Sequence, residues 1–317
     1  MPLTGEIATA QPVMVIVGPT AVGKTDVAIA VAMALGAEII NADSRQIYRY
    51  MDIGTAKPTP SQQASVPHHL VDIVDPDEIF NVTDFQRAAF AAIEAIHGRG
   101  HLPMIVGGTG QYVSATIEGW QFPGVAPNLA LRAELEAYAQ SEGWQALLER
   151  LRLHDPVSAE QIDGQNIRRV IRALEVSLET GRPFSDFQKK VPPGYAVQSF
   201  CLTLEPREAL YERADQRIQQ MLDAGFVDEV RYLVDQGYTW DLPAMSALGY
   251  PQIGDYLQGD VTLSEVVVEL QRATHRFIRR QMTWFRKYNA DARWLQSDGA
   301  ADEILFMVEN WLRTLAG

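Results

Sequence analysis

The sequence predicts an α/β protein, a parallel sheet flanked by helices and interrupted by a helical insertion. Three observations predict it. Short β-rich apolar runs alternate with amphipathic segments over residues 13–106, the arrangement that parallel βαβ units produce. A glycine-rich turn follows the first run and leads into a helical pattern. Residues 129–180, almost wholly helical in pattern, then lie between two Pro/Gly linkers.

Residues 13–17 (VMVIV) read as the first strand and 26–35 as a helix. A second strand, 37–40, ends near Asn41-Ala42-Asp43, and a third is expected at 69–74. Residues 83–97 (TDFQRAAFAAIEAIH) read as an amphipathic helix with Thr83 as its N-cap. The fourth strand, 103–106, runs into Gly107-Gly108. Pro123-Gly124-Val125-Ala126-Pro127 and Pro192-Pro193-Gly194 bound the insertion, and 197–204 (VQSFCLTL) resume the sheet. From 208 to 315 the pattern is mainly helical. The expected division is a core of 1–122 and 195–317 and an insertion of 123–194.

The 317 residues are 47% hydrophobic and 21% charged, which excludes a disordered chain. No apolar stretch approaches the roughly 18 residues of a membrane span. The N-terminus lacks a basic segment followed by an apolar one, so no secretory signal is read. Cys201 is the one cysteine, which excludes an intrachain disulfide and a cysteine-based zinc site. A cytoplasmic monomer is expected.

Gly18-Pro19-Thr20-Ala21-Val22-Gly23-Lys24-Thr25 matches the full phosphate-loop pattern between an apolar strand and a helix. Backbone N–H groups of such a loop close around a pyrophosphate, and the helix points its positive end at the same anion. Lys24 adds a charge, and the Thr25 hydroxyl is placed to hold Mg²⁺. The core is therefore expected to be P-loop NTPase-like. A hydrolysing site usually adds a carboxylate after a neighbouring strand. Here the fourth strand ends in Gly107-Gly108-Thr109 instead, which favours group transfer from a pyrophosphate-bearing donor. Asp43 follows the second strand, at the sheet edge where ligands of open α/β folds bind. It is placed either to take a proton from an acceptor or to form the turn into Ser44-Arg45.

Asp43-Ser44-Arg45-Gln46-Ile47-Tyr48, Asp52-Ile53-Gly54-Thr55-Ala56-Lys57-Pro58 and Pro67-His68-His69-Leu70 are similar to the tRNA dimethylallyltransferase (tRNA isopentenyltransferase) family. So are the phosphate loop, Gly107-Gly108-Thr109-Gly110, Asp155-Pro156 and the run Arg168-Arg169-Val170-Ile171-Arg172-Ala173-Leu174-Glu175. Ala247-Leu248-Gly249-Tyr250 and Arg280-Gln281-Met282-Thr283-Trp284-Phe285-Arg286 complete the resemblance, which runs from about residue 13 to 295. Gln111 stands where the family commonly has Leu, and Pro251-Gln252 where it commonly has Lys-Glu.

The resemblance implies transfer of a dimethylallyl group from its pyrophosphate to N6 of adenosine 37 in a tRNA. It makes Asp43 the general base, with Thr109 also at the reacting centre. Gly18 to Thr25 bind the pyrophosphate, Mg²⁺ assists at Thr25, and Arg217 is a second cation for the leaving group. Asp43, Ser44, Arg45, Gln46, Thr109, Arg132 and the segment Gln165-Asn166-Ile167-Arg168-Arg169 are implied tRNA contacts.

The net charge of −13 by itself argues against a nucleic-acid partner. Yet residues 272–287 (RATHRFIRRQMTWFRK) carry five Arg, one Lys and no acid. Charges farther than about 8 Å are largely screened, so a local strip can still hold phosphates. On a helix Arg272, Arg276, Arg279, Arg280 and Lys287 share a face, and Arg276, Arg279 and Arg280 are expected RNA contacts. Arg168 and Arg172 form a second i,i+4 cluster. Trp284 and Phe285 are expected in the core, and His68-His69 in packing or substrate contact rather than metal binding. Arg207, Arg213 and Arg231 read as surface charges.

The competing readings are a small-metabolite kinase, an adenylate isopentenyltransferase acting on free AMP, and a non-catalytic nucleotide-binding module. The insertion and the basic helix argue against the kinase and the AMP enzyme, and Asp43 argues against the module.

Overall fold

The first strand, β1 (Pro12–Val17), is apolar throughout because both of its faces are covered. Met14 and Ile16 enter one core layer, and Val13, Val15 and Val17 enter the opposite one. The fold is described here from a computed structural model, for residues 11–289 and 291–316. The reading that the N-terminus carries no secretory signal falls on residues 1–10 and lies outside the described residues.

From β1 the chain continues through α1 (Lys24–Leu35), β2 (Ala37–Asn41), α2 (Pro60–Ser65), β3 (His68–His69), α3 (Val82–Gly98), β4 (Leu102–Gly107) and α4 (Gly110–Ile117). The insertion follows, with α5 (Leu129–His154), α6 (Pro156–Gln161) and α7 (Ile167–Thr180). The chain then returns through β5 (Ala196–Thr203), α8 (Arg207–Asp223), α9 (Phe226–Asp235), α10 (Tyr250–Gln258), α11 (Leu263–Tyr288), β6 (Arg293–Gln296) and α12 (Ala300–Ala316). One compact unit comprises the chain up to Ile117 and from Gly194 onward, and the other is Glu118–Pro193. The sequence reading cut the insertion at 123–194.

Among the described residues six strands form one sheet, all parallel, in the order β3-β2-β4-β1-β5-β6. Val17 lies beside Gly107 and Asn41 beside Val106. The loops after β1, β2 and β4 therefore leave the sheet at one edge. One face is covered by α1 and α12 through Val31, Ile304 and Val308, the other by α3 and α4 through Phe85, Ile93 and Val113. A third cluster packs Ile47, Tyr48 and Met51 against Phe226, Tyr250 and Leu270, which anchors the segment after Asp43. The insertion has its own core of Leu135, Leu147, Leu151, Val170, Ile171 and Leu174. Its long helix α5 is broken at Gly143, where φ is 89°.

Several local expectations are corrected. The third strand has only two residues, because Leu70 and Asp72 take left-handed backbone at φ 61° and 55° and end the extended run. Helix α3 is capped by Asn81, not Thr83. The Asn81 Oδ1 accepts from the amides of Thr83 and Asp84, and the Asp84 carboxylate accepts from the Asn81 amide. This reciprocal pairing satisfies the first turn. Helix α1 begins at Lys24 rather than at residue 26. The short edge strand β6 interrupts the C-terminal helices and has no counterpart in the sequence reading. Pro251 stands in the first turn of α10, and the Gln252 side chain accepts from the Gly249 amide, so that departure from the family pattern is a working helix start.

Glu38 on β2 ties the outer sheet together. It is 3% exposed and accepts from Arg99 Nε and Nη2 at 2.9 and 2.7 Å, His69 Nε2 at 2.6 Å and His101 Nδ1 at 2.7 Å. Arg99 above all holds its carboxyl down to about 2, against the upward push of burial. Glu38→Gln should lower stability by about 1–3 kcal/mol, because it removes the buried carboxylate that accepts the paired Arg99 guanidinium. The contribution is complete above about 4.5, the ordinary glutamate value, and drains away as pH falls toward about 2. Urea unfolding of the two proteins at stepped pH should show their stabilities converging in acid.

Candidate active site

Three loops at the sheet edge enclose a cavity of about 630 Å³. The phosphate loop closes onto α1 at Gly23, whose φ of 98° disfavours a side chain; an added Cβ there would also lie 3.1 Å from Arg213 Nη2. Thr20, Ala21, Gly23, Lys24 and Thr25 line the cavity. Gly18, Pro19 and Val22 are buried behind it and do not line it.

Lys24 folds back over its own loop and donates to Pro19 O at 2.8 Å. Burial brings its ammonium down to about 8; the negative charge of Asp43 opposes this and Arg217 adds to it. Arg217, from α8, is held below its ordinary value by burial, with Asp43 countering. Arg213, one turn earlier on α8, lines the same cavity. This corrects its reading as an ordinary surface charge. The signal was in the sequence: Arg213 and Arg217 are i,i+4 neighbours and share a helix face. Asn41, Gln216 and Gln281 also line the cavity, although the sequence singles out none of them for it, and His68 lines it as the substrate-contact reading expects.

Asp43 lines the cavity and its Oδ1 accepts from the Arg45 amide at 2.9 Å. The turn-forming and the functional readings are therefore both compatible with its position. Thr109 stands beside it: its hydroxyl oxygen accepts from the Ser44 amide at 3.0 Å and its own amide donates to Ala42 O at 3.1 Å. A threonine hydroxyl accepting in this way retains its proton for donation. Arg45 donates to Pro243 O and to Ser246 Oγ, and Gln46 Nε2 donates to the carbonyls of Thr55 and Ala56. These side chains are engaged within the protein and organise the 52–59 loop and its neighbours. Glu229 completes that frame by accepting from the amides of Asp52, Ile53 and Gly54.

His69 is the packing residue anticipated, bound to Glu38, whereas His68 bonds Val66 O through Nδ1 and faces the cavity. Among the described residues no group of three or more His, Cys, Asp or Glu could hold a metal ion.

A second concavity, about 500 Å³, runs along α11 and is lined by Arg276, Arg279, Arg280, Lys287, Trp284 and Tyr288. Arg272 is exposed but does not line it. Arg276 pairs with Glu269 at 2.7 Å. Phe285 is fully buried, as its pattern implied.

In the insertion, Arg168 and Arg169 are exposed near the start of α7. Asn166 caps that helix by accepting from the Arg169 amide, the Gln165 amide donates to Asp163, and Ile167 packs against the local core. Arg132 and Arg172 both pair with the fully buried Glu175, so Arg172 does not share an open cationic face with Arg168. Arg132 binds Glu175 through Nε and Nη2, both at 2.8 Å, and its guanidinium has a structural partner already.

The pH dependence of anion binding follows from Lys24. Pyrophosphate favours the charged ammonium, so its affinity should be full below about 8 and fall as pH rises through that value. Calorimetric titration with pyrophosphate from about pH 7 to about pH 9.5 should show a loss of at most about tenfold per pH unit. Lys24→Met should bind more weakly and flatten the curve.

The chain matches the model of the IPP transferase family over residues 46–288 and that of Isopentenyl transferase over residues 11–72. It is 51% identical over 276 residues to a tRNA dimethylallyltransferase of Roseiflexus castenholzii, covering 87% of this chain and 90% of that one. It superposes on the full-length tRNA isopentenylpyrophosphate transferase from Bacillus halodurans with a TM-score of 0.72 at 42% identity, covering 97% and 98% of the two chains. A eukaryotic dimethylallyltransferase acting on tRNA gives a TM-score of 0.77 at 26% identity, over 91% of this chain and 74% of that one. With its phosphate loop, Asp43 and the intervening sheet edge in place, the chain belongs to the IPP transferase family, the family of the tRNA dimethylallyltransferases.

Proposed function

We propose that the chain transfers a dimethylallyl group from dimethylallyl pyrophosphate to N6 of adenosine 37 in the anticodon loop of tRNA. The observation that carries this reading is that Lys24, Arg217 and Asp43 line one cavity at the sheet edge. Cations suit a departing pyrophosphate, and a carboxylate suits the proton lost by the attacking amine.

Adenine N6 is a weak nucleophile because its lone pair is delocalised into the ring. The donor carbon is allylic and accommodates positive charge as its C–O bond breaks. The phosphate-loop amides, Lys24, Arg217 and Arg213 stabilise the negative charge that grows on pyrophosphate. As the N6–C bond forms, Asp43 takes the N6 proton, and the products are N6-dimethylallyladenosine and pyrophosphate. Thr109 holds the Ser44 amide, which fixes Asp43, and offers its hydroxyl proton to the acceptor base. The Thr25 hydroxyl, which lines the cavity, is a hard oxygen donor of the kind Mg²⁺ takes. The Thr25 hydroxyl would hold Mg²⁺, which would supply further charge neutralisation on the leaving group.

The acceptor RNA finds its phosphates at the α11 face of Arg276, Arg279 and Arg280, and on the insertion at Arg168 and Arg169. Phosphate contacts position the loop, and the target adenine is unstacked into the cavity. A kinase or an AMP-directed enzyme leaves both cationic surfaces without a use. No helix among the described residues is long and apolar enough to cross a membrane. We read the chain as a monomer working in the cytoplasm.

Labelled dimethylallyl pyrophosphate offered with an anticodon stem-loop RNA, with AMP or with no acceptor tests the reading. The RNA should be prenylated and AMP should be a poor acceptor by orders of magnitude. Efficient prenylation of AMP would replace this reading with the adenylate enzyme. Asp43→Ala should lower the rate on RNA roughly 10²–10⁴-fold, with pyrophosphate affinity little changed in a binding titration.

A further inference from the structure

Gln281 lies in the middle of the cationic sequence of α11 yet turns inward and is 7% exposed. Its Oε1 accepts from the Thr20 amide at 2.9 Å, and its Nε2 donates to Gly108 O at 2.9 Å. One side-chain amide thus bridges the phosphate loop after β1 and the turn after β4. The bridge spans 261 residues of sequence on one side and 173 on the other.

The next link leads to the base. Gly108 is followed by Thr109, which holds Ala42 through its amide and Ser44 through its hydroxyl. Asp43 sits between those two anchored residues. The pyrophosphate cradle and the base belong to different loops, and Gln281 is a direct tie between the first loop and the turn that carries the second. Gly108 provides the clearance for it: a Cβ at that position would stand 2.6 Å from the Gln281 Nε2.

Prenyl transfer needs the pyrophosphate oxygen, the allylic carbon and N6 aligned, with the base on N6. A misplacement of about 1 Å can cost roughly 10²-fold in such a reaction. A tie between the two loops acts on that alignment more than on the affinity of either ligand, because the cations Lys24, Arg213 and Arg217 and the exposed arginines of α11 keep their places.

We propose that Gln281 is a positioning residue for the transfer step: its amide sets the spacing between the phosphate loop and the turn that holds Asp43, and does so from the helix whose outer face presents the cationic groove. The proposal rests on the assignment of Asp43 as the base.

The test uses the full chain, an anticodon stem-loop RNA and dimethylallyl pyrophosphate. Three single variants are compared. Gln281→Met keeps the size and removes both hydrogen bonds. Gln281→Glu keeps the acceptor for the Thr20 amide and loses the donor to Gly108. Gly108→Ala displaces the amide from the other side. Gln281→Met and Gly108→Ala should each lower kcat about 10–10²-fold, with inorganic pyrophosphate and RNA affinities within about threefold of the parent. Gln281→Glu, whose carboxylate would face the Gly108 carbonyl, should be at least as slow as Gln281→Met. Because both changes break one bridge, the double variant should be no slower than the slower single variant. Thermal unfolding identifies any variant that fails to fold, and the remaining pair then carries the comparison. A kcat within about twofold of the parent in Gln281→Met, a loss confined to pyrophosphate affinity, or additive effects of Gln281→Met and Gly108→Ala would overturn the proposal. A parent chain that does not prenylate the RNA would instead overturn the function itself.

Discussion

The parallel pairing of β2, β4 and β1 is the constraint on which the active site depends. Parallel strands send all their C-terminal ends to one edge, so the loops that follow them become neighbours whatever their distance in sequence. The register beside Gly107 and Asn41 then sets which residues meet: the phosphate loop, Asp43 and Thr109. Each strand holds its place because both faces are buried, Met14 and Ile16 in one layer and Val13 and Val15 in the other. A polar residue at any of these positions would disturb the core and, through it, the spacing of the catalytic loops.

Electrostatics act locally on this strongly acidic chain. The cavity gathers Lys24, Arg213 and Arg217 against Asp43, and the cost of burying cations together appears as the lowered Lys24 and Arg217 values. A bound anion would relieve that cost, because it would replace lost hydration with opposite charge. On α11 the cations remain exposed, where their interactions with phosphates are screened and salt-dependent. The two kinds of basic group suit different tasks. Buried ones suit one small anion, and exposed ones suit a large polyanion.

Several side chains with implied contacts to RNA have partners in the protein itself. Arg45 and Gln46 hold neighbouring backbone carbonyls, and Arg132 and Arg172 neutralise the buried Glu175. A buried carboxylate without those guanidiniums would be costly, so removing either one weakens the insertion as well as any surface it presents. Arg168 and Arg169 carry no such duty and are the exposed cations of that segment. Loss of RNA binding in an Arg132 variant would thus report on folding as much as on recognition.

The sequence by itself determined the features that are local. The phosphate loop, the alternating strands and helices, the helical insertion and the carboxylate after β2 are each written in a few consecutive residues, and the resemblance to the family rests on such runs. Short-range chemistry misled it only where another local signal competed, as with Asn81 over Thr83 and the left-handed Leu70 and Asp72 in place of a strand. Tertiary structure alone decided the remainder. Glu38 gathers donors from 69, 99 and 101, and Gln281 reaches residues 20 and 108. No spacing rule encodes these meetings, because they are set by which faces the core buries and by the parallel register that brings distant loops to one edge.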